Sequence, residues 1–263
     1  MKKSLNILGV LIILLFQFTS CLKNEDNGKP FYYFYDEPAV VVQTEATFIF
    51  RNEAYNFWVP GLAGDTTVKV GDLLWTSFIV DENLQPRIDA GFPYQATQFR
   101  YEKVDSAQVI IPADTAEFRS YLSDDYSAPI ELSVLYNYTI DNLWFFGFKQ
   151  QDRSNQLRYT YELILNPEIE KTGNSYPTLY IRSKPINTPA GSHGPTYSRE
   201  GNMIFAFDAT GFVDYYYRKA ISSTGPVRFN LKYKNGVDSN GNDVYRAFMS
   251  NPISWRFNSE KPQ

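Results

Sequence analysis

Three stretches of this chain alternate apolar and polar residues with period two, and that pattern limits its fold more than any other feature. In Val227–Lys234 (VRFNLKYK), Val227, Phe229, Leu231 and Tyr233 share one face, while Arg228, Asn230, Lys232 and Lys234 share the other. Leu157–Asn166 places Leu157, Tyr159, Tyr161, Leu163 and Leu165 together, and Glu131–Ile140 does the same with Leu132, Val134, Tyr136, Tyr138 and Ile140. Successive side chains of a strand point to opposite faces, so this alternation means antiparallel sheet with one apolar face and one wet face. Composition agrees: aromatics are 17% of the chain, with 20 Tyr and 20 Phe, gathered in short segments bounded by Gly, Pro, Asn and Asp. The expected class is all-β.

The N-terminal half reads differently. Leu73–Val80 (LLWTSFIV) is apolar on both faces, as a strand is when it lies within a small barrel or beneath a second layer. Ala39–Gln43, Thr47–Phe50, Phe57–Val59, Gln98–Val104 and Ala107–Ile111 are further strand candidates. That many short strands in so few residues suit a small barrel of the OB type. Helix is scarce. Asp114-x-x-Glu117 has the spacing of a capping box and predicts a helix over Thr115–Leu122, and Phe212–Ala220 is a second candidate. The Pro-, Ser- and Asp-rich run from Pro112 to Pro129, with Asp124-Asp125 inside it, divides the body. Residues 31–124 are expected to form an OB-like β-barrel, and residues 125–263 an antiparallel β-sandwich.

Ahead of that body stands a leader. Lys2 and Lys3 precede ten apolar residues, Ile7–Phe16, and Phe18-Thr19-Ser20 leads to Cys21. Ten residues are too few to span a bilayer, which takes about twenty, and the flanks fit a cleavable signal over residues 1–20. Small residues just before a cysteine resemble a lipobox, in which the thiol is lipidated and becomes the mature N-terminus. Cys21 is the only cysteine of the chain and sits where that reading requires it. Residues 21–30 then form a polar, turn-rich tether, whose nine residues after Cys21 reach on the order of 15–18 Å. Lys23-Asn24-Glu25-Asp26 resembles the lysine-plus-acid run of surface-exported Bacteroidetes lipoproteins, and reads equally as a solvated linker. The expected address is the outer membrane, lipid-anchored, with display at the cell surface as a hypothesis.

Removing the leader takes away two of the 25 basic residues and none of the 29 acidic ones, which leaves a mature net charge of −6. An acidic body without a Lys/Arg stripe opposes nucleic acid as a partner. With Cys21 lipidated, no disulfide forms inside the fold, so stability rests on hydrophobic cores.

The tether, followed by Tyr35-Asp36-Glu37-Pro38-Ala39-Val40-Val41 and Gly71-Asp72-Leu73-Leu74-Trp75-Thr76-Ser77-Phe78, is similar to the NigD-like lipoproteins of the Bacteroidetes. The resemblance implies an N-terminal OB-like domain and a C-terminal β-sandwich. It offers no catalytic residues, and its association with a bacteriocin gene cluster suggests an immunity role only by context.

Chemistry-bearing residues are few. The single histidine, His193, lies in PAGSHGP, where Ser192 is a sequence neighbour rather than a triad partner, and no G-x-S-x-G occurs. One histidine and a lipidated cysteine leave too few ligands for a zinc site. Asp238-Ser239-Asn240-Gly241-Asn242-Asp243 places Asp238, Asn240 and Asn242 as a calcium loop would, yet Asp243 stands where glycine is needed and Met249 where the bidentate glutamate belongs. A polar hairpin loop explains the run more simply. Glycosidases need only two carboxylates, but Asp36/Glu37, Asp81/Glu82 and Asp124/Asp125 are adjacent pairs that point apart on a strand.

Aromatics remain. Trp58, Trp75, Trp144 and Trp255 could stack sugars or a partner, although Trp75 and Trp144 lie in apolar strands and read as core. Phe31, Tyr32, Tyr33, Phe34 and Tyr35 cannot all face one side of a strand, so some must be exposed or covered by a partner, and the same holds for Tyr215, Tyr216 and Tyr217. The expectation is a non-enzymatic, lipid-anchored binding or accessory protein for an envelope protein or glycan, using no cofactor. An immunity or inhibitor lipoprotein and a two-carboxylate carbohydrate-active enzyme are the alternatives.

Overall fold

The structure is a computed structural model that describes residues 30–62, 64–85, 92–122, 129–150, 158–168, 177–186, 196–197, 201–218 and 229–249. Its strands form two bodies, and the chain is all-β as expected. The first five strands, β1 (Phe31–Gln43), β2 (Phe48–Arg51), β3 (Asn56–Val59), β4 (Leu73–Asp81) and β5 (Tyr94–Lys103), close into a barrel in the order β1-β2-β3-β5-β4. β1 pairs antiparallel with both β2 and β4, and β3 runs parallel to β5, the connectivity of an OB-type barrel. Inward-facing Phe48, Phe50, Phe57 and Phe78 fill it with Ala39, Val41, Leu74, Val80 and Ala96. The rings interlock, with Phe50 and Phe57 5.2 Å apart and Phe57 and Phe78 4.7 Å apart between centroids.

Three bulges help so small a barrel close, one of them between Val41 and Gln43 of β1 against β2. β1 inserts an extra residue between Phe34 and Glu37 relative to β4, with Asp36 at φ 57°. β5 does so between Thr97 and Arg100, with Gln98 at φ 49°. Each bulge sharpens the local twist and bends the strand around the core. An aspartate tolerates the left-handed region better than most residues.

The second body is built from β6 (Ser106–Ile110), β7 (Ile130–Ile140), β8 (Leu143–Gln150), β9 (Arg158–Leu165), β10 (Thr178–Ile186), β11 (Thr196–Tyr197), β12 (Met203–Asp208), β13 (Asn230–Val237) and β14 (Asp243–Met249). They make one nine-stranded sheet in the order β14-β13-β10-β9-β6-β12-β8-β7, with β11 beside β12. The sheet curls so that its halves face each other like a sandwich. Phe148 of β8 stacks on Tyr161 of β9 at 4.2 Å, and Trp144 of β8 stacks on Phe229 at 4.8 Å. Tyr159, Tyr161, Leu163 and Leu165 all point into this core, as their alternation predicts. Among the described residues, two α-helices flank it: α1 (Thr115–Leu122) and α2 (Thr210–Arg218). At the start of α1 the Asp114 carboxylate accepts from the Glu117 amide at 2.8 Å, and Glu117 accepts from the Ala113 amide at 2.6 Å. The first bond is the N-cap that the Asp114-x-x-Glu117 spacing predicts, while the Glu117 carboxylate reaches back one residue further, to the amide before the cap.

The sheet differs from the sequence reading in two respects. β6, grouped above with the barrel strands, lies mid-sheet between β9 and β12. It runs parallel to both, and β10 runs parallel to β13, so the sheet is mixed rather than purely antiparallel. The reason is connectivity: the chain leaves the barrel at Val104, and its next strand becomes the spine joining the two halves of the curl. Alternation within five residues specifies a strand but not its neighbours.

A third apolar cluster joins the bodies. Leu73 and Trp75 of β4 and Val104 pack against Ile140, Phe145, Ile204 and Ala206, with Val40, Tyr138 and Leu143 at the margin. β4 is therefore apolar on both faces because Leu74, Phe78 and Val80 fill the barrel while Leu73 and Trp75 lie beneath the second body. β8 follows the same logic, with Trp144 and Phe146 facing the sheet core and Phe145 facing the barrel. An ion pair between Arg51 and Asp141 lies across the same junction.

Candidate binding surface

The five-aromatic run at the start of β1 is divided by the pleat. Phe34 points inward, its ring stacked on Phe78 at 4.6 Å. Tyr33 and Tyr35 point outward with their rings nearly parallel, 6.1 Å apart and 15° between planes. They are 58% and 46% exposed, so two adjacent aromatic rings face solvent on this wall. The neighbouring outward positions follow from register: Tyr33 pairs with Ile79 of β4, which pairs with Thr97 of β5, and Ser77 pairs with Arg100. This face continues along β4 into the part that the second body covers through Trp75 and Leu73. The barrel wall is thus covered by the second body at one end, and at the other it is open, where Tyr33 and Tyr35 stand beside Ile79 among the polar Ser77, Thr97 and Arg100.

Phe31 and Tyr32 are exposed too, at the end of the barrel where the chain enters. The Tyr32 hydroxyl donates to Glu82 Oε1 at 2.7 Å. That hydrogen bond is the main cause of a phenol pKa above the ordinary value, helped by desolvation and by the negative charge itself.

The other residues singled out in the sequence take structural places. Tyr215 is not an exposed contact residue: on α2 it packs half-buried against the sheet core, beside buried Phe212 and Val213, because helical periodicity turns these positions to one side. Tyr216 and Tyr217 continue α2, and their side chains lie outside the described residues. Cys21, His193, Asp124, Asp125 and Trp255 also lie outside them. Trp75 and Trp144 are buried, whereas Trp58 is half-buried on β3.

Asp238, Asn240 and Asn242 form the turn of the β13–β14 hairpin. One Asp238 oxygen accepts from the Asn240 and Asn242 amides at 2.8 Å each, and the other accepts from Asn242 Nδ2 at 3.1 Å. These donors, the Asn242 backbone and side chain foremost, hold the Asp238 carboxyl below the usual carboxylate range. Its lone pairs point at N–H groups, the arrangement of an Asx turn rather than of a cation cage. Among the described residues, no group of three or more His, Cys, Asp or Glu side chains could hold a metal ion.

The adjacent carboxylates are likewise engaged separately. Asp36 accepts from Trp75 Nε1 at 3.0 Å, and Asp81 accepts from the Asn83 amide at 2.8 Å, capping a turn of 3₁₀ helix. Burial raises the Glu37 carboxyl above its ordinary range, opposed by a hydrogen bond with Asn52.

Three exposed apolar residues near the chain entry escaped sequence reasoning: Tyr55, Leu84 and Phe92. Each is isolated among polar or turn residues, so no local pattern marks it, and only closure of the barrel brings the three to one end.

Comparison with known proteins bears on the fold. No family model matches this chain, and no curated protein does. Solved structures do. A candidate lipoprotein from Bacteroides fragilis is similar over 88% of this chain and 100% of its own, with 12% identity and a TM-score of 0.55. An uncharacterized protein from Parabacteroides merdae is similar over 82% and 95%, with 16% identity and a TM-score of 0.50. A candidate toxin-related protein from Parabacteroides distasonis covers 85% and 94%, with 14% identity and a TM-score of 0.48. At these identities the first two establish a shared two-body fold.

Proposed function

We propose that this chain is a lipid-anchored protein of the outer membrane that acts without catalysis, as a binding or accessory module for an envelope protein or glycan. The observation that carries the reading is the outward Tyr33–Tyr35 pair on a barrel wall whose other half already serves as a protein contact. Rigid aromatic side chains give large contact area at low entropic cost. The leader and Cys21 support the anchor, as does the shared fold of the B. fragilis candidate lipoprotein. The NigD-like resemblance is supported by the OB-type barrel followed by a large sheet, and by the Bacteroidetes source of the similar structures. The separate engagement of Asp36, Asp81 and Glu82 favours binding over two-carboxylate hydrolysis.

The test is affinity capture from native membranes, comparing the parent chain with a Tyr33→Ser/Tyr35→Ser variant. A partner or glycan retained by the first and lost by the second is the expected result. Retention that ignores both substitutions would remove the tyrosine pair from the reading.

A further inference from the structure

Five of the most exposed apolar side chains gather at one end of the barrel. Phe31 and Tyr32 open β1, Tyr55 sits in the β2–β3 turn, and Leu84 and Phe92 lie within the β4–β5 connection. Several contacts place them at a common pole. The Glu82 amide donates to the Pro30 carbonyl at 3.3 Å, Tyr32 reaches Glu82, and the Tyr55 ring meets Tyr94 edge-on at 5.5 Å, two residues beyond Phe92. Residue 30 enters the barrel at this pole, and only nine residues separate Phe31 from Cys21. The second body packs at the far end of β4, around Leu73 and Trp75.

These five side chains are 46–66% exposed. Half-exposed side chains of this size offer about 100 Å² each, so the pole presents roughly 500 Å², short of the roughly 800 Å² per partner that a stable protein interface takes. A shallow apolar surface of mixed Phe, Leu and Tyr, held by a short tether to a lipid, suits a membrane interface instead, where tyrosine rings sit among headgroups. We infer that this pole rests in the headgroup layer of the bilayer that holds the lipid anchor, with the second body projecting away from the membrane and the Tyr33–Tyr35 wall left open sideways. The inference rests on the lipid-anchored reading above. Asp81 and Glu82 at the pole favour zwitterionic over anionic lipid.

The test uses the mature lipidated protein reconstituted into phosphatidylcholine vesicles. With Cys21 acylated, a Leu84→Cys or Val70→Cys variant carries one free thiol for an environment-sensitive fluorophore. Val70 is exposed just before β4 begins, so the length of that nine-residue strand, about 25 Å, separates the two labels. Quenching by lipids spin-labelled near the headgroup is expected to be at least about twofold stronger at Leu84 than at Val70, since the layer is only about 5–10 Å deep. Adding Phe31→Ser and Phe92→Ser should remove that difference while the far-ultraviolet circular dichroism stays unchanged. Equal quenching at the two sites, or none at Leu84, would overturn the inference. So would a Leu84 label shielded in native membranes but not in pure lipid, which would identify a protein partner instead. The mass of the N-terminal peptide separates the two readings: an unacylated Cys21 would overturn the anchor itself.

Discussion

Replacing Trp75 with alanine should uncouple the two bodies. Trp75 is 5% exposed and belongs to neither the barrel core nor the sheet core. Its ring lies edge-on to Tyr138 at 5.8 Å and packs with Leu73, Val104, Ile140, Phe145, Ile204 and Ala206, while its Nε1 donates to Asp36. Truncating a buried Trp to Ala costs about 3–5 kcal/mol, of which the lost hydrogen bond to a charged acceptor accounts for about 1.5–3 kcal/mol. Trp75→Phe keeps most of the packing and loses the bond, so it should cost about 1.5–3 kcal/mol. The barrel phenylalanines and the Trp144–Phe229 stack are untouched by either change. The penalty therefore falls on the junction, and differential scanning calorimetry of Trp75→Ala should resolve two transitions where the parent chain shows one. A single transition with its midpoint unmoved would refute the view that this cluster couples the bodies.

Three further outcomes follow from individual contacts. Tyr33→Ser and Tyr35→Ser should each change unfolding free energy by no more than about 0.5 kcal/mol, whereas Phe34→Ala should cost about 3 kcal/mol, read by urea denaturation. Glu37→Gln should stabilise the protein at neutral pH. Burial raises the native pKa of Glu37 above its unfolded value, so the native state binds the proton more tightly and the charged form is penalised as pH rises through that interval; the gain should vanish below about pH 4, where both states are protonated, and a gain that persists there would exclude this cause. Asp114→Ala removes the cap of α1 and should cost about 1 kcal/mol, with faster amide exchange at Glu117 as the local readout.

Much of the local structure was legible in the residues. The alternation of Tyr159, Tyr161, Leu163 and Leu165 names their buried face, and Asp114-x-x-Glu117 marks the start of α1. Both are short-range signals, set by the pleat of a strand and the reach of one side chain to an amide three residues away. The five-aromatic run predicts that part of it must be exposed, but not that Phe34 alone turns inward to Phe78. For Tyr215 the aromatic cluster suggests exposure, whereas the helix predicted over the same residues turns its side chain half-buried against the core.

By itself the sequence determined that this chain builds sheets, and where most strands and the two described helices run. Tertiary structure alone decided that β6 leaves the barrel for the middle of the large sheet, that β4 and β8 hide a second apolar face at the junction, and that Tyr55, Leu84 and Phe92 lie at the same end of the barrel as Phe31 and Tyr32. The reason is the range of the interaction. A period of two assigns each side chain to a face, while the partner on that face comes from strands tens of residues away, and nothing in the local pattern names it.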